Sequence, residues 1–261
     1  MSFLKPDEQL TVITGAGISA ESGIPTFRGP EGFWTVGSKE YHPMEMATQR
    51  MFRQQPWEVW QWYLYRASVC SGAKPNPGHV MLVELEQQLQ DRFLLITQNV
   101  DNLHLAAGNT PARTYQIHGN IYQMRCSREC RQKLYPLPEK FWCREKDTPL
   151  SEQEKTLLTC PDCKAMTRPH VLWFDECYDE TWFKFESALR AAEQTDVLLI
   201  LGTSGSTTLP NHVANTVYQR GKTIIEINTE ESDFTRLALA SSNGQSLRTT
   251  CTKGLAELLR N

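Results

Sequence analysis

The sequence has no long apolar run, no strong excess of charge of one sign, no internal repeat and no low-complexity tract. No segment reaches the roughly 18 apolar residues that a membrane span needs, and residues 1–10 are too polar for a secretory signal. The net charge of −3, from 27 basic and 30 acidic residues, gives no general attraction to nucleic acid or to an anionic membrane. We therefore expect a cytoplasmic protein that binds neither.

The composition is that of an ordinary globular protein. Of the 261 residues, 40% are hydrophobic and 22% are charged, which is enough apolar material for a sizeable core. This excludes a disordered chain, a collagen-like repeat and a disulfide-stabilised miniprotein. In the cytosol, close pairs among the eight cysteines indicate metal binding more often than disulfides.

Short apolar segments alternate with helical patterns along the chain. Four segments have the length and β-branched composition of buried parallel strands: Leu10–Thr14, Phe93–Thr97, Val197–Leu201 and Thr223–Ile227. Helices are predicted at Trp57–Val69, Gly78–Leu89, Thr181–Gln194, Pro210–Arg220 and Leu255–Arg260. This alternation predicts an α/β fold with a parallel sheet covered by helices on both faces.

Glycine and polar residues follow each predicted strand. They occupy residues 15–17, 98–101, 202–204 and position 228. Ligands of parallel sheets bind beyond the carboxyl ends of the strands. Four such groups therefore predict one shared pocket.

The first strand leads into a glycine-rich turn. Gly15-Ala16-Gly17-Ile18-Ser19-Ala20 combines a tight turn with the start of a helix, an arrangement that suits a pyrophosphate. A strand-to-helix turn that merely needs glycine is an equally good explanation. The second strand ending in Asp or Glu, which binds the ribose in dehydrogenases, is missing, so ordinary hydride transfer is not expected.

Two close cysteine pairs lie in the polar segment Arg125–Thr167, which we expect to be a small inserted module. The pairs are Cys126/Cys130 and Cys160/Cys163. A C-x₃-C with a C-x₂-C suits a tetrahedral structural zinc site. Free thiols or a transient redox pair are the alternative, and Cys143 is a further possible ligand.

Five motifs resemble, in order, those of the sirtuins, a family of NAD-dependent protein-lysine deacylases. They run from Gly15 to Gly29, Thr97 to His104, His118 to Gly119, Gly202 to Ser204 and Ile227 to Asn228. The likeness extends from about Glu8 to the C-terminus. It implies NAD as a consumed co-substrate and acyl-lysine proteins or peptides as partners. The sequence leaves the oligomeric state open, and a monomer is our expectation.

The resemblance also implies which residues contact NAD. The candidates are Gly15, Ala16, Gly17, Ser19, Ala20, Phe27, Arg28, Gln98, Asn99, Asp101, Gly202, Thr203, Ser204, Asn228 and Cys251. Asn99 and Asp101 would line the nicotinamide pocket, and Ser204 would meet a phosphate. Taken singly, Asn99 and Asp101 also fit an Asx turn or a helix cap, and Ser204 also fits an N-cap.

The resemblance implies that His118, in a segment we expect to be a short strand, is the catalytic base. Imidazole titrates near neutral pH and can take a proton from a ribose hydroxyl. In the implied reaction the acyl oxygen of the modified lysine attacks C1′ of NAD, nicotinamide leaves, and water finally releases lysine and O-acyl-ADP-ribose. A lone histidine is more often a hydrogen-bonded structural residue, which is the alternative.

Three residues resemble the subgroup of sirtuins that removes succinyl, malonyl and glutaryl groups. Tyr63 and Arg66 share a helix face, and the guanidinium can bind a carboxylate in bidentate fashion. Ala47 matches the small residue that leaves room for a longer acyl chain. A core aromatic with a solvated arginine is the alternative.

Two segments depart from the family pattern. Residues 171–176 resemble the strand that pairs with the substrate peptide, so Val171 and Phe174 are candidate substrate contacts. Asp175 replaces the usual glycine, where it could select basic peptides, make an internal contact or penalise an acidic acyl group. Residues 202–209 are more polar than the usual apolar continuation.

Together these observations predict two units and one main function. Residues 1–120 and 171–261 would form a Rossmann-like NAD-binding domain with a helical insertion at about 30–77, and residues 121–170 the zinc module. The expected function is deacylation that favours acidic acyl groups. Alternatives are a plain deacetylase, an NAD glycohydrolase or mono-ADP-ribosyltransferase on the same fold, or a non-catalytic NAD sensor.

Overall fold

A six-stranded parallel sheet lies at the centre of the protein. The computed structural model describes residues 3–25, 34–36, 39–146 and 148–260. Its strands are β1 (Leu10–Thr14), β2 (Trp34–Val36), β3 (Lys39–Tyr41), β4 (Phe93–Thr97), β5 (Thr114–Gln116), β6 (Gly119–Cys126), β7 (Leu134–Pro136), β8 (Thr167–Val171), β9 (Val197–Leu201), β10 (Thr223–Asn228) and β11 (Gln245–Arg248). Its helices are α1 (Ala16–Ala20), α2 (Pro43–Met46), α3 (Gln49–Gln54), α4 (Pro56–Ser71), α5 (Pro77–Leu89), α6 (Leu103–Ala107), α7 (Glu152–Leu157), α8 (Glu180–Phe183), α9 (Phe185–Gln194), α10 (Thr208–Gln219), α11 (Asp233–Ala240) and α12 (Cys251–Arg260).

The four predicted strands are confirmed as neighbours in this sheet. The strand order is β11-β10-β9-β1-β4-β5, and every neighbouring pair is parallel. Thr14 pairs with Thr97 on one side and with Leu201 on the other. Because the central strands end at the same level, the segments that follow them meet at one edge of the sheet.

Helices cover both faces of the sheet, as predicted. Val12, Leu95 and Leu199 pack with α5 and α12 on one face. The next residue along each strand turns to the other face, where Ile13, Ile96 and Ile200 pack with α9, α10 and α11. This alternation follows from the two-residue period of a strand, and burial on both faces explains why these strands are apolar throughout.

The predicted inserted segment forms the antiparallel sheet β7-β6-β8. Its apolar residues share one core with α4, and Trp60 of α4 donates from Nε1 to the Thr167 carbonyl at 2.9 Å. The segment thus uses an outside helix to bury its apolar side chains. The predicted domain boundaries fall within β6 and β8, and they stay a prediction.

Two local expectations were wrong, and two edge strands were not predicted. The predicted helix Thr181–Gln194 is divided at Lys184, whose φ of 57° is left-handed, so that α8 and α9 are separate. The edge strands β5 and β11 were not predicted because they are short and largely polar. His118 lies in the turn after β5 rather than in a strand.

The other predicted helices are confirmed with small shifts of their ends. Among the helices of the described residues, none combines the length and the apolar character that crossing a bilayer requires.

Candidate functional site

The glycine-rich turn after β1 packs directly on the turn after β9. The N–H of Gly15 donates to the Leu201 carbonyl at 2.9 Å, and the N–H of Gly17 donates to the Gly202 carbonyl at 2.8 Å. A Cβ on Gly15 would lie 2.5 Å from Cβ of Thr203. The close approach of two loops therefore requires these glycines even without a ligand, while the N–H groups of Ala16 and its neighbours still start a helix at the sheet edge.

Asn99, Asp101 and Ser19 form a buried polar group beside this turn. Nδ2 of Asn99 donates to the Gly15 carbonyl at 2.9 Å and contacts Oγ of Ser19 at 3.1 Å. The Asp101 carboxylate also hydrogen-bonds Ser19, and it accepts from the N–H of Leu103 at 2.9 Å. Asp101 thus makes the Asx-type contact at the start of α6. Burial raises the pKa of its carboxyl group.

Gln98 joins the ends of β4 and β9. Its Nε2 donates to Oγ1 of Thr203 at 2.9 Å. Nδ2 of Asn228, at the end of β10, donates to the Thr203 carbonyl at 3.0 Å. Ser204 is exposed and its hydroxyl lies 3.0 Å from that of Ser206. Ser204 does not cap α10, whose N-cap is Thr207.

Cys251 is the first residue of α12 and is buried. Burial raises the pKa of its thiol to about 12, so the thiol stays protonated at neutral pH. At the same helix start, Glu21 accepts from the N–H of Thr252 at 3.0 Å.

His118 is half-buried and has a defined hydrogen-bond state. Its Nδ1 lies 3.0 Å from the Gln98 carbonyl oxygen, which can only accept, so the proton of the neutral ring is on Nδ1. Its Nε2 lies 2.7 Å from the Tyr178 hydroxyl. Burial lowers the pKa of His118 to about 4, and the ring is therefore neutral at physiological pH, as a general base must be.

These contacts connect the ends of five neighbouring strands, β10, β9, β1, β4 and β5. Hydrogen bonds run from His118 through Gln98 and Thr203 to Asn228, and from Asn99 to Gly15. Among the other predicted residues, Ser19 and Ala20 lie in α1, which follows β1, and Gly202 and Ser204 follow β9. Cys251 begins α12, which follows β11. Phe27 and Arg28, predicted for the cofactor loop, lie outside the described residues.

Residues 171–176, the segment predicted to pair with the substrate peptide, lie against His118. The N–H of Leu172 donates to the His118 carbonyl, and the N–H of Phe174 donates to the Ala47 carbonyl, both at 3.0 Å. Val171 is buried at the end of β8, whereas 54% of Phe174 is exposed, which is unusual for a large apolar side chain. The segment thus presents an apolar residue to solvent close to the base.

Asp175 makes an internal contact, one of the three alternatives that the sequence left open. Its carboxylate accepts from the N–H of Gln49 at 2.6 Å and of Arg50 at 3.0 Å. A carboxylate at a helix N-terminus satisfies backbone donors and complements the helix dipole. Asp175 therefore ties the peptide segment to α3.

Tyr63 and Arg66 lie on α4 and differ in burial. Tyr63 is only 2% exposed, and its hydroxyl accepts from Nε1 of Trp173 at 3.0 Å. Arg66 is half-buried, with its guanidinium carbon 5.6 Å from the centre of the Trp62 ring. Burial lowers the pKa of Arg66 and raises that of Tyr63, and each group lies within electrostatic range of the other.

The four predicted cysteines come together as a metal site. The sulfur atoms of Cys126, Cys130, Cys160 and Cys163 all lie within 4.8 Å of one another. Two of the separations are 3.5 and 3.6 Å, close to the roughly 3.8 Å edge of a tetrahedron with Zn–S bonds of about 2.3 Å and far from a disulfide bond. All eight cysteines are free, and the exposed Cys143 is not in the cluster. The donor set fits one structural zinc ion.

Two residues of this region were missed at the sequence level. Tyr178 contacts the candidate base, and the Thr207 hydroxyl donates to Oε1 of Gln98 at 2.9 Å. Thr207 belongs to segment 202–209, which is more polar than the family pattern. That difference was the one feature of the sequence that pointed to Thr207. Tyr178 gave no signal, because nothing in its neighbourhood in the sequence places it near His118.

Comparisons with known proteins agree with this geometry. A model of the Sir2 family matches residues 15–208. An NAD-dependent protein deacylase of Leptospira interrogans is 44% identical over 227 residues, which cover 87% of this chain and 84% of the relative. One from Thermus thermophilus is 38% identical over 260 residues, covering 98% and 91%.

Solved structures of Sir2 homologues are also similar to this chain. A Sir2 homologue in complex with NAD has a TM-score of 0.79 and 35% identity, with 97% of this chain and 88% of the other chain covered. A mutant Sir2 homologue with 2′-O-acetyl ADP ribose has a TM-score of 0.78 and 34% identity, with 97% and 90% covered.

Proposed function

The chain belongs to the Sir2 (sirtuin) family of NAD-dependent protein deacylases, and from that premise we propose that it prefers lysines carrying succinyl, malonyl or glutaryl groups and uses His118 as its base. NAD supplies the ADP-ribose that accepts the acyl group. The observation that carries the proposal is the hydrogen-bonded connection from His118 through Gln98 to the ends of the neighbouring strands.

The state of His118 supports its role as base. The ring is neutral because burial lowers its pKa to about 4. Since Nδ1 is held by the Gln98 carbonyl, Nε2 carries the lone pair that takes a proton from a ribose hydroxyl.

The polar groups at the strand ends support NAD binding at this edge of the sheet. Amides, hydroxyls and helix-start N–H groups are the types that hold dinucleotides. Asn99 and Asp101 would receive the nicotinamide carboxamide, and Gln98 the ribose hydroxyls. Ser204 would contact a phosphate, and Asn228 with the backbone of Cys251 would contact the adenosine.

The preference for acidic acyl groups is supported by the surroundings of Arg66. Both the Arg66 guanidinium and the Asp101 carboxyl group lie within electrostatic range of the Cys70 thiol. The hydroxyl of Tyr63 accepts from Trp173 and still has its own proton to donate. A partly desolvated guanidinium with a phenol donor suits a terminal carboxylate, and Ala47 adds little bulk.

A panel of modified peptides tests both the deacylation reaction and the preference for acidic acyl groups. Acetyl-, malonyl-, succinyl- and glutaryl-lysine peptides would be incubated with NAD, and the products identified by mass spectrometry. We expect nicotinamide, free lysine and O-acyl-ADP-ribose, formed fastest from the acidic acyl groups. Equal or faster deacetylation would indicate a plain deacetylase. Nicotinamide and ADP-ribose without peptide would indicate a glycohydrolase.

His118→Tyr in the same assay tests the base. We expect a folded protein, with an unchanged circular dichroism spectrum, that forms no O-acyl-ADP-ribose above background. Turnover near that of the unmodified enzyme would refute the assignment.

We also propose a monomeric enzyme of the cytoplasm that acts on acyl-lysine proteins and not on nucleic acid. None of the eight cysteines is in a disulfide bond, which supports the cytoplasm, and the nearly balanced charge supports the absence of nucleic-acid binding.

A further inference from the structure

Tyr178 reaches the reactive nitrogen of His118 from the segment that follows β8. Its hydroxyl lies 2.7 Å from Nε2, and the two ring centres are 5.8 Å apart. The same segment also contacts the backbone of His118, through the N–H of Leu172. The base is therefore held from two sides by one stretch of chain.

The direction of the hydrogen bond follows from the other nitrogen. The proton of the neutral ring is on Nδ1, because the Gln98 carbonyl can only accept. Nε2 must then accept, and the Tyr178 hydroxyl donates to it. Burial raises the pKa of Tyr178 to about 12, so the phenol keeps its proton for this bond.

Two neighbours hold the phenol in place. Its ring stacks on Phe185 of α9, with a centre-to-centre distance of 6.3 Å and an angle of 22°. The Thr207 hydroxyl lies within hydrogen-bond reach of the phenol oxygen and of Oε1 of Gln98, and its single proton is donated to one of these two acceptors at a time. Thr207 therefore lies between the phenol and the side chain of Gln98, the residue whose carbonyl binds Nδ1 of His118.

We propose that Tyr178 is a positioning residue for His118 before NAD binds: its hydroxyl, beside Phe185 and Thr207, donates to Nε2 and fixes the ring in the neutral form that has its proton on Nδ1, until a ribose hydroxyl takes the place of the phenol at Nε2. The proposal rests on the proposed role of His118 as base. It also gives one residue of the polar segment 202–209 a role, because an apolar side chain at Thr207 would remove a hydrogen-bonding neighbour of the Tyr178 hydroxyl.

The physical consequence is a bias against the imidazolium. A donor aimed at Nε2 stabilises the neutral ring, because a protonated Nε2 cannot accept the bond. Burial also lowers the pKa of His118, and the hydrogen bond to the Gln98 carbonyl raises it. Tyr178 is the titratable group in hydrogen-bond contact with the ring among the described residues.

The test is an NMR titration of the ¹⁵N-labelled ring of His118 in the full chain. In Tyr178→Phe we expect the pKa of His118 to rise by about half to one unit, since a net hydrogen bond of ordinary strength is lost. The long-range ¹H–¹⁵N pattern should also show less of the Nδ1–H form. Thr207→Val should shift the pKa in the same direction by less. Tyr218→Phe, at an exposed position on α10, is the matched control and should change neither quantity.

Deacylation supplies a second readout. The acidic limb of kcat/KM should move to higher pH in Tyr178→Phe by the same amount as the NMR titration. An unchanged pKa and tautomer of His118 in folded Tyr178→Phe would overturn the inference even if the enzyme is a deacylase. A shifted titration without any deacylation would instead refute the proposed function and leave the hydrogen-bond assignment standing.

Discussion

Gly17 and Gly202 are in direct backbone contact, although 184 residues of the chain lie between them. A Cβ on Gly17 would lie 2.6 Å from Cα of Gly202, and a Cβ on Gly202 would lie 2.7 Å from Cα of Gly17. Gly202 also has a φ of 57°, in the left-handed region. The two turns that carry the candidate phosphate-binding groups are thus packed backbone to backbone.

Gly17→Ala should therefore destabilise the protein. The obstacle is backbone rather than a flexible side chain, so we expect the free energy of unfolding to fall by about 1–3 kcal/mol. Urea denaturation measures this change, and NAD affinity should weaken in parallel because the turn is displaced. Gly72→Ala is the control: its added Cβ would lie 3.9 Å from the Val69 carbonyl oxygen, and its φ is −76°. Equal stability of Gly17→Ala and the unmodified chain would contradict the close packing.

Arg66→Met should change the choice of acyl group more than the rate of deacetylation. Loss of the guanidinium removes the proposed partner of a terminal carboxylate, a charge-assisted interaction that we expect to reduce kcat/KM for succinyl-lysine by about 10–100-fold. Acetyl-lysine has no carboxylate, and its kcat/KM should change by less than about threefold. Arg53→Met, at an exposed position on α3, controls for the loss of one positive charge. An equal loss on both substrates would count against the carboxylate contact.

Zinc removal should unfold the inserted module before it affects the reaction itself. Metal analysis of the purified protein should give one zinc ion per chain. Cys163→Ser should lower that ratio and the melting temperature, because the polar segment loses the bonds that hold its cysteine pairs together. Cys143→Ser should leave both unchanged. Full zinc content in Cys163→Ser would refute the four-cysteine site.

Stability should fall as the pH drops below about 6.5. Burial lowers the pKa of His79 to about 4 and those of His104 and His170 to about 3, and all three rings are almost fully buried. The unfolded chain binds protons at these rings near pH 6.5 and the folded chain does not, so their stabilising contribution is complete above that pH and is lost toward the folded pKa values.

The expected loss is on the order of 2–4 kcal/mol per pH unit between pH 6.5 and 5. The Asp101 carboxyl group has the opposite effect on stability, because its raised pKa means that the folded chain binds this proton more readily than the unfolded chain. Urea denaturation over this range measures the slope, and His170→Phe should make it less steep. A free energy of unfolding that stays constant from pH 6.5 to 5 would contradict the buried neutral state of these histidines.

Much of the central fold was predictable because its signals are local. Each of the four central strands is a short apolar segment, and a strand buried on both faces needs no information from elsewhere in the chain to be recognised. The edge strands lack that signal: β5 and β11 are short, polar and held by one neighbour, so their pairing depends on a strand that is already in place.

The candidate site was predictable in composition but not in contacts. The spacing of the two cysteine pairs indicated a metal site, and the resemblance to the sirtuin motifs indicated Gly15, Asn99 and Asp101. They did not indicate that Asp175 accepts from the start of α3, a contact across 126 positions.

The sequence by itself therefore determined the central strands, the family motifs and the residues able to bind one zinc ion. Only the tertiary structure decided that Tyr178 donates to His118 and that Thr207 holds Tyr178. The physical reason is that strand order and helix packing bring together residues 60 positions apart, and a hydrogen bond depends on a few tenths of an ångström that no local pattern of residues specifies.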